Sequence, residues 1–254
     1  MPTLVIQSCS PAQRESWVSA CLASVERWTA LRGHDYRFVG DEIFDRVPQW
    51  YLAKVGNKLP VATDYARLVL MREAVEKGYD EVVWFDADLL IFDQDLRLDF
   101  DGTCAFGQEV WVEWRDGRLR ARRNVHNAVC VFRSGCPVLP YLMHTILSLL
   151  RRVDPAHIAP QIAGPKLLNA LHPLSDFALL PQVGALSPEV VADLAAGQGA
   201  ALDMLRRETA VALQAVNVSA SVNGAELAAA AVAGLLQQGL RPRPAAAQAA
   251  LVPP

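Results

Sequence analysis

No apolar stretch in this 254-residue chain reaches the ~20 residues that a membrane-spanning helix needs. Cysteine is sparse. Cys9, Cys21, Cys104, Cys130 and Cys136 are an odd number with no CxxC spacing, so neither a disulfide framework nor a zinc site is indicated, and reduced thiols in a cytoplasmic protein are expected. Charge of one sign is scarce too: the formal net charge is −3, and nothing global calls for nucleic acid. The segment from Met1 to Gln7 lacks the charged flank and long apolar region of a signal peptide. No internal repeat is visible. Hydrophobic residues make up 52% of the chain and charged ones 20%, which is enough for one large domain with a full core, or at most two.

The most informative segment is Val82-Val83-Trp84-Phe85-Asp86-Ala87-Asp88-Leu89-Leu90-Ile91-Phe92, an apolar run broken only by two aspartates. Its β-branched and aromatic residues predict a central strand buried on both faces. Side chains alternate along a strand, so Asp86 and Asp88 are expected on one side. Two neighbouring carboxylates there repel each other and each loses hydration. A divalent cation removes both problems, and oxygen ligands suit Mn2+ or Mg2+ with coordination positions left for substrate phosphates. The alternative is a strand-end turn with solvated acids.

The rest of the chain predicts an α/β fold. A strand over 3–8 leads to a helix over 11–31, with Ser10 as N-cap and Gly33 past its end, then a strand over 36–40. Strand, helix, strand implies a parallel sheet with right-handed crossovers. Residues 41–60 read as irregular. Thr63 is expected to cap a helix from Asp64 to Lys77 that Gly78 ends. Asp116-Gly117 between alternating segments signals a hairpin, with a separate strand over 126–133 after it. Helices are expected over 137–153 and 164–171, a short strand over 176–180, and an alanine-rich helical remainder that includes 225–238. Ligands of open parallel sheets bind at carboxyl ends of strands, which directs attention to Gln7-Ser8, Gly40-Asp41 and the aspartate pair. The expected organisation is one domain over 1–240, a parallel α/β half ending near 92 and a mixed β and helical half after it, followed by a mobile Pro/Ala-rich tail over 241–254.

On a helix, Asp64, Arg67, Met71 and Ala74 share one face, so Arg67 turns inward and needs a carboxylate or phosphate partner, either Asp64 itself or a ligand. Arg118, Arg120 and Arg122 share a hairpin face. That row suits either solvent or a phosphorylated lipid or acidic membrane surface, so peripheral membrane contact stays open. Trp111 and Trp114 point to opposite faces, one available to stack on a sugar. Glu109, Glu113 and Asp176 are possible bases.

Asp64-Tyr65-Ala66-Arg67, Gly78-Tyr79 and Trp84-Phe85-Asp86-Ala87-Asp88, in this order, resemble the core of A-type (GT-A) glycosyltransferases with an Asp-X-Asp motif. Asn127-Ala128-Val129-Cys130-Val131-Phe132 resembles their asparagine-led strand. Gly164-Pro165-Lys166-Leu167-Leu168 resembles the helix start of the branch with bacterial capsular and lipopolysaccharide sugar transferases. The resemblance spans roughly residues 3 to 182. It implies a GT-A-like fold with a mixed, mostly parallel sheet, flanking helices and a helical C-terminal part. It also implies a UDP- or GDP-linked sugar donor and a hydroxyl-bearing acceptor. Asp86 and Asp88 would bind the metal and, through it, the diphosphate, Asp88 as the direct ligand and Asp86 on ribose or metal, with Phe85 and Ala87 beside the nucleotide sugar. Gln7 and Ser8 would lie by base and ribose. Asp64 and Arg67 would contact the nucleotide or sugar, and Asn127 the sugar; Asp88, Arg67 and Asn127 would carry catalysis. Many relatives use a late histidine as a further metal ligand; here the last is His172, and Asn217 or water would substitute. The competing readings are a haloacid-dehalogenase-like phosphatase, which also follows a strand with Asp-X-Asp, and a non-catalytic nucleotide-sugar-binding protein.

Overall fold

The run from Val82 to Phe92 is not one strand. In this computed structural model, which describes residues 2–219 and 223–240, it forms β3 (Glu81–Phe85) and β4 (Leu89–Ile91), joined through a turn closed by Leu89 N–H to Asp86 O at 3.1 Å. The two strands belong to different sheets. Burial on both faces gives each the same apolar composition, so composition does not register the turn between them.

The main sheet has six strands. Its parallel side holds β1 (Thr3–Ser8), flanked by β2 (Asp35–Val39) and β3. Beyond β3 runs β6 (Arg118–Arg133), antiparallel to it and to its hairpin partner β5 (Cys104–Arg115). A short β7 (Ala178–Leu180) adds to β5 in parallel, giving the order β2-β1-β3-β6-β5-β7. A second sheet, β4 with β9 (Ala215–Asn217) and β8 (Val183–Ala185), leaves no mark in the sequence pattern: three-residue strands are too short to display a period.

Alternation along β3 shows why both faces are covered. Val82 and Trp84 enter a core under α3 (Leu59–Glu76) and α4 (Val138–Arg152), while Val83 and Phe85 enter one against Trp28 of α1 (Ser16–Arg32). A third cluster joins the second sheet, one hairpin face and α6 (Pro188–Ala195), α7 (Ala200–Glu208) and α8 (Ala225–Gln238).

Several local expectations change. Pro11 opens a separate 3-10 turn, so α1 begins at Ser16, and Ser10 makes no capping bond. Gly33 ends it as expected, in the left-handed region at φ 67°. The 41–60 segment contains a 3-10 stretch and the helix α2 (Gln49–Val55). The next helix, α3, starts a turn early because Pro60 suits its first turn, and Thr63 hydrogen-bonds back to the Leu59 carbonyl at 3.2 Å instead of capping. Asp64 and Arg67 therefore sit inside the helix. The 126–133 strand is continuous with the hairpin as β6. The tail over 241–254 lies outside the described residues.

One irregularity matters for the site. Register jumps from Phe106 opposite Cys130 to Gly107 opposite His126, so Asn127, Ala128 and Val129 have no partner on β5. A β-carbon on Gly107 would come within 2.1 Å of His126 Nε2. Gly107→Ala should cost about 1–3 kcal/mol by overpacking, read from urea unfolding. In a His126→Ala background the same substitution should cost much less; an equal cost in both backgrounds would exclude this contact as the cause.

Candidate active site

The junction between the two sheets carries the site. Asp86, Ala87 and Asp88 occupy the turn, half-buried, held by Asp86 N–H to Ala128 O at 2.8 Å and Val218 N–H to Asp88 O at 2.9 Å. Two consequences follow for the acids. Asp86 is fastened toward the main sheet: its Oδ1 accepts from Trp84 Nε1 at 2.6 Å and faces Arg67 at 3.0 Å. Asp88 meets the second sheet, where Asn217 Nδ2 donates to its Oδ1 at 2.7 Å.

Arg67 is the hub. It is 5% exposed, lies 3.1 Å from Asp64, donates to the Asn127 carbonyl and sits over the Trp84 ring at 5.1 Å. Asn127 closes the ring of contacts by donating from Nδ2 to Asp64 at 2.7 Å. Burial works against the charge on Arg67, but the carboxylates of Asp86 and Asp64 outweigh it, so its pKa rises. Asp64 goes the other way for an acid: burial pushes its carboxyl up from 3.8 to about 6, with Arg67 and Asn127 opposing. One cation shared by two carboxylates cannot fully compensate both. Gly164, before α5 (Pro165–Leu171), lets that helix approach this network: a β-carbon there would lie 2.7 Å from Asp64 Oδ2.

A cleft of about 160 Å³ opens beside the turn, lined by Asp86, Asp88 and Asn127, by Glu109, Trp111 and His126, and by Asn217 and Ser219 among others. Whole small-molecule sites run to roughly 300–1,000 Å³. The enclosed part therefore suits one ring-sized group beside the acids.

The predicted residues divide sharply. Asp86, Asp88, Asn127 and Asn217 meet in the cleft. Gln7 is fully buried, bonding Asp86 O at 3.3 Å and Tyr36 Oη at 3.0 Å, and Phe85 is buried edge-on to Trp28. Their side chains pack behind the turn and do not line the cleft. Ser8 ends β1 outside the cleft lining. Asp64 and Arg67 are also outside it, and Arg67 reaches the cleft only through its ion pair with Asp86. Asn217 does not offer its oxygen: Oδ1 already accepts Ser219 N–H at 2.8 Å and Oγ–H at 3.0 Å, which turns its nitrogen to Asp88.

His126 is a cleft residue that the sequence reading does not single out. Nε2 faces the Val183 carbonyl at 2.9 Å and Nδ1 faces Ala128 N–H at 3.3 Å, which requires the proton on Nε2. Burial lowers its pKa, so it is a neutral, fully engaged ring and not a metal ligand. Its strand position is the available signal, since alternation puts it in line with Asn124 and Arg122.

The donor set fits a hard divalent cation: two carboxylates with substrate phosphate and water completing the shell is the usual arrangement for Mg2+ and its like. Among the described residues no group of three or more His, Cys, Asp or Glu could hold a metal alone.

No family model and no curated protein matches this chain. Solved structures do. A glycosyltransferase involved in glycosylation of the major capsid of PBCV-1 is 11% identical, covers 87% of this chain and 94% of its own, and has a TM-score of 0.50. This chain has a glycosyltransferase fold. Mouse xyloside xylosyltransferase 1 in its apo form is 9% identical over 87% of this chain and 99% of that one, with a TM-score of 0.47. A Drosophila beta-1,4-galactosyltransferase 7 variant, in complex with manganese, UDP-Gal and xylobiose, is 10% identical over 69% and 75%, with a TM-score of 0.32.

Within this glycosyltransferase fold, Asp64 makes stability depend on pH. Its folded pKa is above its unfolded one, so its contribution is complete below pH 3.8 and lost as pH rises through about 6. Compared with Asp64→Asn, the unmodified chain should lose on the order of 1 kcal/mol of unfolding free energy between about pH 5 and about pH 8. Parallel pH profiles for the two proteins would overturn the assignment.

Proposed function

We propose that this chain is a metal-dependent glycosyltransferase that moves a sugar from a UDP- or GDP-linked donor to a hydroxyl acceptor. The observation that carries the reading is the meeting of Asp86, Asp88 and Asn127 in one cleft, at a sheet junction of a glycosyltransferase fold. Mn2+ or Mg2+ held by Asp88 and Asp86 would stabilise the charge that develops on a departing diphosphate. Arg67 and Trp84 fix the orientation of Asp86, and Asn217 that of Asp88. Asn127 borders the space for the donor sugar, and Trp111 offers an aromatic face to a sugar ring. The bond from the anomeric carbon to phosphate breaks, its electron pair leaves with the diphosphate, and the acceptor oxygen takes the carbon. Glu109, held by Asn124 Nδ2 at 2.9 Å, is the cleft carboxylate available for the acceptor's proton.

The fold likeness gives no support to a phosphatase. Transfer and passive binding are separated by turnover. Thermal shift with UDP or GDP should raise the melting temperature only when Mn2+ is present. Asp88→Asn should fold, lose that shift and lower donor hydrolysis by ~100-fold or more. Full activity in the variant would remove the metal assignment; nucleotide binding without turnover would leave a binding protein.

A further inference from the structure

The β5–β6 hairpin has two unlike faces. Val110, Val112, Leu119 and Ala121 pack into the core with α7, and Arg123 is tied to the Glu208 carbonyl at 2.7 Å. The other face follows from the register. Glu109 opposes Asn124, Trp111 opposes Arg122, Glu113 opposes Arg120, and Arg115 opposes Arg118. Glu109 and Trp111 line the cleft, so this face runs without a break from the transfer site to the hairpin tip.

Its outer half is open and cationic. The Arg120 and Arg122 side chains are 56% and 52% exposed, and Arg115 and Arg118 are exposed as well. Arg122 pairs with Glu113 at 2.8 Å and Arg120 with Asp116 at 3.8 Å, so among the described residues four arginines meet only two acids. This sits on a chain of formal net charge −3. Every cation of the hairpin is arginine, whose planar fork matches carboxylate and phosphate. From Glu109 to Arg115 the strand runs ~20 Å, several sugar units.

We infer that the acceptor is an acidic saccharide chain that lies along this face, its carboxylate or phosphate groups on Arg115, Arg118, Arg120 and Arg122 and its reacting end at Trp111. A lipid surface fits less well. Trp114, 61% exposed at the tip, projects to the opposite face, so the aromatic anchor and the arginines do not share a plane. The inference rests on the transferase reading.

Calorimetry on the full chain tests it, with oligogalacturonate as the acidic probe, a neutral maltooligosaccharide of equal length, and phosphatidylserine vesicles. The acidic oligosaccharide should bind at least about tenfold more tightly than the neutral one, and weaken with salt. Arg118→Ser/Arg120→Ser/Arg122→Ser should remove that preference, keeping the Mn2+-dependent shift with nucleotide. Trp114→Ser should change neither. Equal affinity for both saccharides, an unaffected triple variant, or binding to vesicles alone would overturn the inference. Absence of nucleotide binding in the unmodified chain would instead strike the transferase reading.

Discussion

A single buried arginine holds the site together. Arg67 touches Asp64 on its own helix, Asp86 in the inter-sheet turn and the backbone of Asn127 on β6. Those contacts connect three segments that are distant in sequence. A buried cation is costly unless it is paired, and a buried carboxylate is costly without a cation; both terminal nitrogens of Arg67 are paired, while its Nε has no hydrogen-bond partner among the described residues. The helix, the turn and the strand are thus tied to a single arrangement. Asp86 cannot turn away from Arg67 without leaving that cation undercompensated. The rotamer that faces the cleft is set from behind.

The second constraint is geometric. The chain passes between sheets within Asp86-Ala87-Asp88, and the two acids bordering the same cleft are braced from different sheets. One is braced by the main sheet through Trp84 and Arg67, the other by the second sheet through Asn217. The cleft lies where the chain passes from one sheet to the other. The broken register of the hairpin supplies its remaining wall, pairing Gly107 with His126 and projecting Asn127 toward Asp64. Glycine is required at 107 by the close approach of the imidazole, not by its backbone angles.

The supporting residues show how far function spreads behind a surface. Gln7, Phe85 and Arg67 lie under the turn without lining the cleft, yet each restrains a residue that does. Substituting them would disturb the turn through orientation, whereas Asp86, Asp88 and Asn127 border the cleft directly. In the hairpin that extends from that space, strand alternation serves both ends at once. One face completes the core, and the other continues the cleft outward.

Local chemistry makes much of this legible. The strand over 3–8, the strand expected over 36–40 and found at 35–39, the Asp116-Gly117 turn with both residues at positive φ (52° and 70°), the Gly-Pro helix start and the helix over 225–238 follow from periodicity and turn chemistry alone. So does the importance of two acids inside an apolar run. Tertiary structure decided what those acids face. An apolar run is identical in composition whether it is one strand or two, so the change of sheet is invisible along the chain. The three-residue strands of the second sheet have no period to read, and without them Asn217 has no assigned direction. Helical spacing marks Arg67 as inward, but whether it meets a ligand or Asp86 depends on segments 19 residues apart in sequence coming within 3.0 Å. Patterns of burial are written along the chain; the partner each buried charge finds is settled only when the sheets are assembled.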